Sequence, residues 1–395
     1  MIKVLFVDDE VAALEGLQNR LNPLKPRWDM RFALGGKKAL EELARLPVDV
    51  IVSDMRMPGM DGAQLLDQVR ERYPHVTRFI LSSQPTVGGT QRLMPLAHQL
   101  LTKSDAASIE SAIERVCGLH SRMDHPGVKQ AIGTLRSLPA LPRVYWDLLR
   151  EIEKPQSSMG SIAAIVEQDV GMTARILQMA NSAFFGSSRS ISTVKDAISM
   201  LGVLPIRSML LSLQLCRAMS DVCAPLGFSL DALQIHSLRT AQLAAQMLKD
   251  SEQRKTALSA GMLHDVGRMI LAVGLPEQYS AVQATVKASK RSEHSVELEL
   301  FGCTHAEIGA HMLSLWGLPP PLIDAVAYHH NPQASGETTF TAISAIHVAN
   351  VMAHEEKDGH PVPDSELQTD FLTKIGVAEA VAGWRSGEPI TPIRS

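Results

Sequence analysis

Ile2-Lys3-Val4-Leu5-Phe6-Val7-Asp8-Asp9, at the start of a chain of 395 residues, is a short apolar run that stops on two carboxylates. A strand buried on both faces of a parallel sheet reads this way, without the polar alternation of a half-exposed strand. Carboxylates arrive too soon for the run to be a secretory signal. Downstream, Val11, Leu14, Leu17 and Leu21 share one face of a helix. The alternation then repeats: Met30–Leu34 before Lys37–Leu46, Val48–Ser53 before Ala63–Tyr73, and Thr77–Ser82 before a weaker helix. A last pair is Gln99–Thr102 before Ala106–Cys117. Five strand–helix units of this size predict an α/β domain over residues 1–120, a parallel sheet with helices on both faces.

In such sheets ligands bind at the carboxyl ends of the strands, and the polar residues gather there. Asp8 and Asp9 follow the first strand, Asp54 the third and Lys103 the fifth, while Ser82 ends the fourth. Three carboxylates brought together repel one another unless a cation lies among them. An all-oxygen site with room for water suits Mg²⁺ better than zinc. With the cation bound, one carboxylate can attack a phosphoryl group, and Lys103 and Ser82 can hold the oxygens of the product.

Residues 1–120 resemble a response-regulator receiver domain. The resemblance rests on the Asp8-Asp9 pair and on Ser53-Asp54-Met55-Arg56-Met57-Pro58-Gly59-Met60-Asp61-Gly62. It implies a doubly wound, flavodoxin-like five-stranded sheet of order 2-1-3-4-5, with Asp54 accepting a phosphoryl group from a histidine kinase. It also implies Mg²⁺ held by Asp9, Asp54 and the backbone carbonyl of Arg56, with Asp8 helping through water. Ser82 stands at the family's switch hydroxyl and Lys103 at its lysine. The sequence departs from the family pattern in three respects. Leu100 replaces the usual aromatic residue, Ser104 replaces the proline after the lysine, and Gly88, Gly89 and Pro95 weaken the expected fourth helix.

Composition narrows the classes further. Hydrophobic residues make up 45% and charged residues 20%, as in globular protein. The net charge of −4 gives no bulk electrostatic reason to expect DNA. Cys117, Cys216, Cys223 and Cys303 lack the spacing of a disulfide or zinc framework, so they read as reduced thiols. No stretch of about 18 apolar residues is present, so no membrane partner is expected and the location read from the sequence is cytoplasmic.

The polar run from His120 to Gly127 marks a boundary, with the linker at 121–127 and an all-α domain over 128–395. Its core is expected at about 131–330, with a helical extension and tail over 331–395. Helical periodicity shows in Ile162–Glu167, Met172–Ala180, Leu233–Leu248 and Ala306–Trp316. The segments Leu138-Pro139-Ala140-Leu141-Pro142, Glu167 to Leu177 and Met179-Ala180-Asn181-Ser182-Ala183-Phe184-Phe185-Gly186 resemble the HDOD domain. That family is a helical relative of the HD metal-dependent phosphohydrolases. Asn181 to Gly186 reads as a structural helix end: polar side chains cap the backbone, aromatics fill the core and glycine stops the helix.

By the same resemblance His236, the pair His264-Asp265, His305 and the pair His329-His330 correspond to an HD-type metal site for iron, manganese or zinc. Asn350 stands where a last metal-binding aspartate is expected, Arg268 where a lysine is, and Asn331 to Ser335 lacks the Gly-Tyr-Pro loop of the HD-GYP phosphodiesterases. The expected output is therefore non-enzymatic: a vestigial site, and a domain acting on an unidentified protein partner, with a homodimer left open. The alternative is a phosphorylation-regulated HD phosphohydrolase or cyclic-dinucleotide phosphodiesterase.

Overall fold

In the computed structural model, residues 1–73, 75–82, 96–103, 106–122, 143–152, 154, 156–181, 191–223, 228–289, 291–358 and 364–393 are described. Five parallel strands form one sheet: β1 (Ile2–Asp8), β2 (Trp28–Leu34), β3 (Val50–Asp54), β4 (Thr77–Ser82) and β5 (Gln99–Thr102). Their order is β2-β1-β3-β4-β5, as the resemblance implies. Val4 to Val7 of β1 and Val50 to Val52 of β3 are fully buried, which is why these runs carry no polar alternation. The edge strand β2 is different. It begins at Trp28, two residues before the apolar run suggests, and tolerates Asp29 and Arg31 because one of its edges is unpaired.

Register sets the site. Val4 pairs with Val50, Asp54 with Leu81, and Ser82 with Thr102, so the carboxyl ends of β1, β3, β4 and β5 are level. Asp8 and Asp54 are each the last residue of a strand, so both strands run one residue further than expected. The order reverses between β1 and β3, and the crevice there is where such sheets bind ligands. Helix Gly62–Arg72 is fixed beside it by a capping box: Gln64 N donates to Asp61 Oδ1 and Asp61 N to Gln64 Oε1. Gly62 is required there, because a Cβ would lie 2.3 Å from the Asp54 carbonyl oxygen. Leu100 lies in β5 opposite Ile80, whereas Gly88, Gly89, Pro95 and Ser104 lie outside the described residues.

Helix Ala106–Arg122 continues five residues past Cys117 and overruns the start of the expected linker at 121. Chain contacts resolve two units, one containing residues 1–140 and the other most of the remainder. The second unit is helical. Beyond residue 122 the described residues contain no strand ladder, only an isolated bridge between Leu248 and Ile393. Helix Val170–Ala180 ends as expected at Asn181, whose Nδ2 donates to Leu177 O at 2.8 Å and Ile191 O at 2.7 Å. Ser182 to Gly186 lie outside the described residues.

Helices within the expected extension pack on those before it. Helix Ala342–Asp358 packs on helices Leu230–Gln246 and Ser251–Gly261, and Ala345, Ile346, Val348 and Ala349 are wholly buried. The C-terminal segment is pinned too: Ile393 N donates to Met247 O and Lys249 N to Ile393 O. This helix, within the expected extension, carries Asn350.

Candidate phosphoacceptor pocket and metal centre

At the sheet crevice one ammonium group joins two strands. Lys103 Nζ lies 2.8 Å from Asp8 Oδ2 and 2.6 Å from Asp54 Oδ1. Burial opposes its charge, but hydrogen bonds with Asp54 and Asp8 outweigh that and raise its pKa. The other carboxylate oxygens are held by backbone: Arg56 N donates to Asp54 Oδ2 at 2.8 Å and Glu10 N to Asp8 Oδ1 at 3.0 Å. The Arg56 contact folds the loop after β3 back onto Asp54. Asp9 follows Asp8 at the same strand end, and Ser82 ends β4 in register with Thr102. Two buried carboxylates with a third beside them form an oxygen donor set of the kind Mg²⁺ takes, and Lys103 already supplies positive charge between two of them.

The six HD-type residues also converge, although they come from four separate segments. Asp265 is the hub. Its Oδ1 lies 3.2 Å from His305 Nε2, 3.5 Å from His264 Nε2 and 3.9 Å from His329 Nε2. Its Oδ2 lies 4.0 Å from His236 Nε2 and accepts a 3.0 Å hydrogen bond from Arg268 Nη1. His330 Nε2 is 3.0 Å from His305 Nε2. Donor atoms of His305, His329 and His330 fall within 4.8 Å of one another, as do those of His236, His264 and Asp265. Gly267 permits this approach: a Cβ there would overlap the His305 carbonyl oxygen at 1.9 Å.

Partners behind the rings decide which nitrogen faces inward. His264 Nδ1 lies 2.7 Å from Gly261 O, and His329 Nδ1 lies 2.7 Å from Val326 O. A carbonyl only accepts, so each Nδ1 carries the proton and each Nε2 presents a lone pair. Both Nε2 atoms are buried with no hydrogen-bond partner. Such orphaned atoms are costly, and an imidazole fixed from behind by a backbone carbonyl is the usual posture of a metal ligand. The donor set therefore fits a transition metal.

Electrostatics agree with that fit. Burial, reinforced by neighbouring histidines, depresses the pKa of His329 and His330, and it brings His236 down to about 3. These rings are neutral, the form that binds metal. Burial also opposes the charge of Asp265, but His264, Arg268 and His305 outweigh it and hold the carboxyl well below its usual range. His305 is the exception: against the cost of burial, Glu297 and Asp265 lift it to about 10. Its Nδ1 lies 2.6 Å from Glu297 Oε2.

Sequence reasoning found the ligand candidates but missed what holds them. Glu297 is one of three acids in helix Glu293–Phe301, and nothing in its spacing separates it from Glu299. Glu293 gathers Arg268, Tyr279 and Gln283 around one carboxylate. His294 stacks on His330 with ring centroids 4.2 Å apart, and His354 lies 4.4 Å from His236.

A parallel sheet with an acid–lysine pocket at its switch point is thus followed by a separate helical unit with this histidine cluster. The response regulator receiver domain profile matches residues 4–114 and the HDOD domain profile residues 138–332. The chain carries a response regulator receiver domain followed by an HDOD domain.

An uncharacterised protein of Treponema pallidum is 25% identical over 217 residues, covering 54% of this chain and 42% of its own. The response regulator protein FleR of Pseudomonas aeruginosa is 38% identical over 85 residues, covering 22% of this chain and 18% of its own. The chain thus spans less than half the length of either relative. Among solved structures, an HDOD domain protein of unknown function from Geobacter sulfurreducens is 23% identical with a TM-score of 0.48, over 71% of this chain and 91% of that one. A signal receiver domain from a Pseudomonas fluorescens HD domain-containing protein is 29% identical with a TM-score of 0.27, over 29% and 84%. Among the described residues no single helix is long and apolar enough to cross a membrane.

Proposed function

We propose that Asp54 accepts a phosphoryl group from a histidine kinase and that this event switches the HDOD domain. The observation that carries the reading is the bridge from Lys103 to both Asp54 and Asp8. An Asp54 carboxylate oxygen attacks phosphorus, an O–P bond forms, and the P–N bond of the donor's phosphohistidine breaks with its electron pair returning to the imidazole. Lys103 turns from the free carboxylate to the new phosphoryl oxygens, and Ser82, at the end of β4, supplies the switch hydroxyl. Asp8, Asp9, Asp54 and the Arg56 carbonyl would hold Mg²⁺, which supplies charge neutralisation for the carboxylates and the incoming phosphoryl group. Phosphorylation replaces the single negative charge of the Asp54 carboxylate with a phosphoryl group carrying about 1.5 to 2, by analogy with other phosphorylated side chains, and shifts the receiver between two conformations.

The output is read as an HDOD surface that gains or loses a protein partner, with a metal bound in the histidine cluster beneath it. A pull-down comparing beryllofluoride-treated wild type with Asp54→Asn tests this: the reading expects a partner set that differs between them, and an identical set contradicts it. The second reading, a metal-dependent phosphohydrolase, is favoured by the orphaned Nε2 atoms of His264 and His329. Turnover of cyclic di-GMP or a simple phosphodiester by metal-loaded protein, abolished in Asp265→Asn, would establish it.

A further inference from the structure

We propose that the histidine cluster takes a single ion, held by His305, His329, His330 and Asp265, and that the lobe formed by His236, His264 and Asn350 does not fill. The inference rests on the metal-binding reading and adds to it which donors are used and how many ions are bound.

The two lobes share Asp265 and differ in everything else. In the His305 lobe three imidazole nitrogens meet one carboxylate oxygen. Four ligands about 2.0–2.1 Å from a tetrahedral ion stand about 3.3 Å apart. Here His330 and His305 nitrogens are 3.0 Å apart, and Asp265 Oδ1 is 3.2 Å from His305 and 3.9 Å from His329. Two of the three rings are fixed from behind, His305 by Glu297 and His329 by the Val326 carbonyl. The third, His330, is stacked on His294 at an interplanar angle of 20°. The rings are thus held in place before any ion arrives, and binding displaces the proton of the nitrogen that His305 turns toward Asp265.

The other lobe is blocked at three points. Asn350 Oδ1 lies 2.9 Å from His236 Nε2, so as oriented the amide accepts the proton of the nitrogen that would ligate. The amide also brings no negative charge where a second carboxylate would. Asp265 Oδ2, the oxygen facing His236, is hydrogen-bonded to the Arg268 guanidinium, itself anchored on Glu293. His264 Nε2 is left buried without a hydrogen-bond partner. A set of three nitrogens and one carboxylate oxygen selects zinc or another nitrogen-preferring divalent ion over Mg²⁺ or Ca²⁺.

The test is metal stoichiometry of the full chain, stripped with chelator, reloaded with excess Zn²⁺ and desalted, alongside circular dichroism to confirm folding. Wild type should retain about one equivalent, as a single four-ligand site does. His330→Ala should lose it and His236→Ala keep it, while Asn350→Asp should gain a second. With Co²⁺ instead, the visible absorption of a tetrahedral site should survive His236→Ala and vanish in His330→Ala. Two equivalents in wild type, or equal loss from both alanine variants, would overturn the one-ion assignment and leave the metal reading standing. Folded wild type that retains no ion at all would overturn both.

Discussion

Lys103 Nζ stands 2.6 Å from Asp54 Oδ1 while also reaching Asp8 Oδ2 at 2.8 Å, so a single cation neutralises two carboxylates on neighbouring strands. Both acids are buried, with 8% of Asp54 and 5% of Asp8 exposed, and neither would be stable there as an unpaired charge. Lys103→Met should lower unfolding free energy by about 1–3 kcal/mol, the usual cost of leaving a buried polar group unsatisfied. Adding Asp54→Asn should recover part of that loss, because one of the stranded charges disappears. Urea denaturation of the two single variants and the double variant measures the coupling.

Gly62 sits against the Asp54 carbonyl with no room for a methyl group. Gly62→Ala should push the helix away from β3, costing about 1–3 kcal/mol as other overpacked positions do. It should also slow labelling of Asp54 by a small phosphodonor, since the loop holding that carboxylate moves with the helix. A stable variant with unchanged labelling would contradict the close approach.

The metal-free histidine cluster should give stability a defined pH dependence. His305 has its pKa raised to about 10 from 6.5. A group raised on folding contributes fully below its unfolded value and loses that contribution as pH climbs through the folded one. The melting temperature of the stripped protein should therefore decline between about pH 6.5 and pH 10, and His305→Gln should flatten that decline.

Asn181 closes helix Val170–Ala180 with its own side chain and ties it to Ile191, whose N donates back to Asn181 Oδ1. Asn181→Ala removes all three hydrogen bonds and should cost about 1–3 kcal/mol in denaturant titration. Metal content should not change, which separates this structural role from that of the histidines.

The receiver architecture was legible because its strands are buried on both faces, and uninterrupted apolar runs locate them well. The runs Thr77–Ser82 and Gln99–Thr102 and the helix Val11–Leu21 stand in the structure with the limits read from the sequence. The edge strand was misjudged at Trp28 because an unpaired edge tolerates polar residues. In the helical unit the histidines were visible by resemblance, but their support was not. Glu297 reaches His305 through the fold of one helix against the next, a contact no periodicity encodes. Asn350 looked only like a missing aspartate, yet it grips His236 and belongs to the core helix Ala342–Asp358.

Covalent labelling of Asp54 addresses the central claim most directly. Incubated with acetyl phosphate and Mg²⁺, the wild-type chain should gain one acid-stable, base-labile phosphoryl group on the peptide containing Asp54, and Asp54→Asn should gain none there. An unlabelled wild-type chain under the same conditions, or equal labelling of the variant, would contradict a phosphorylation switch at this site.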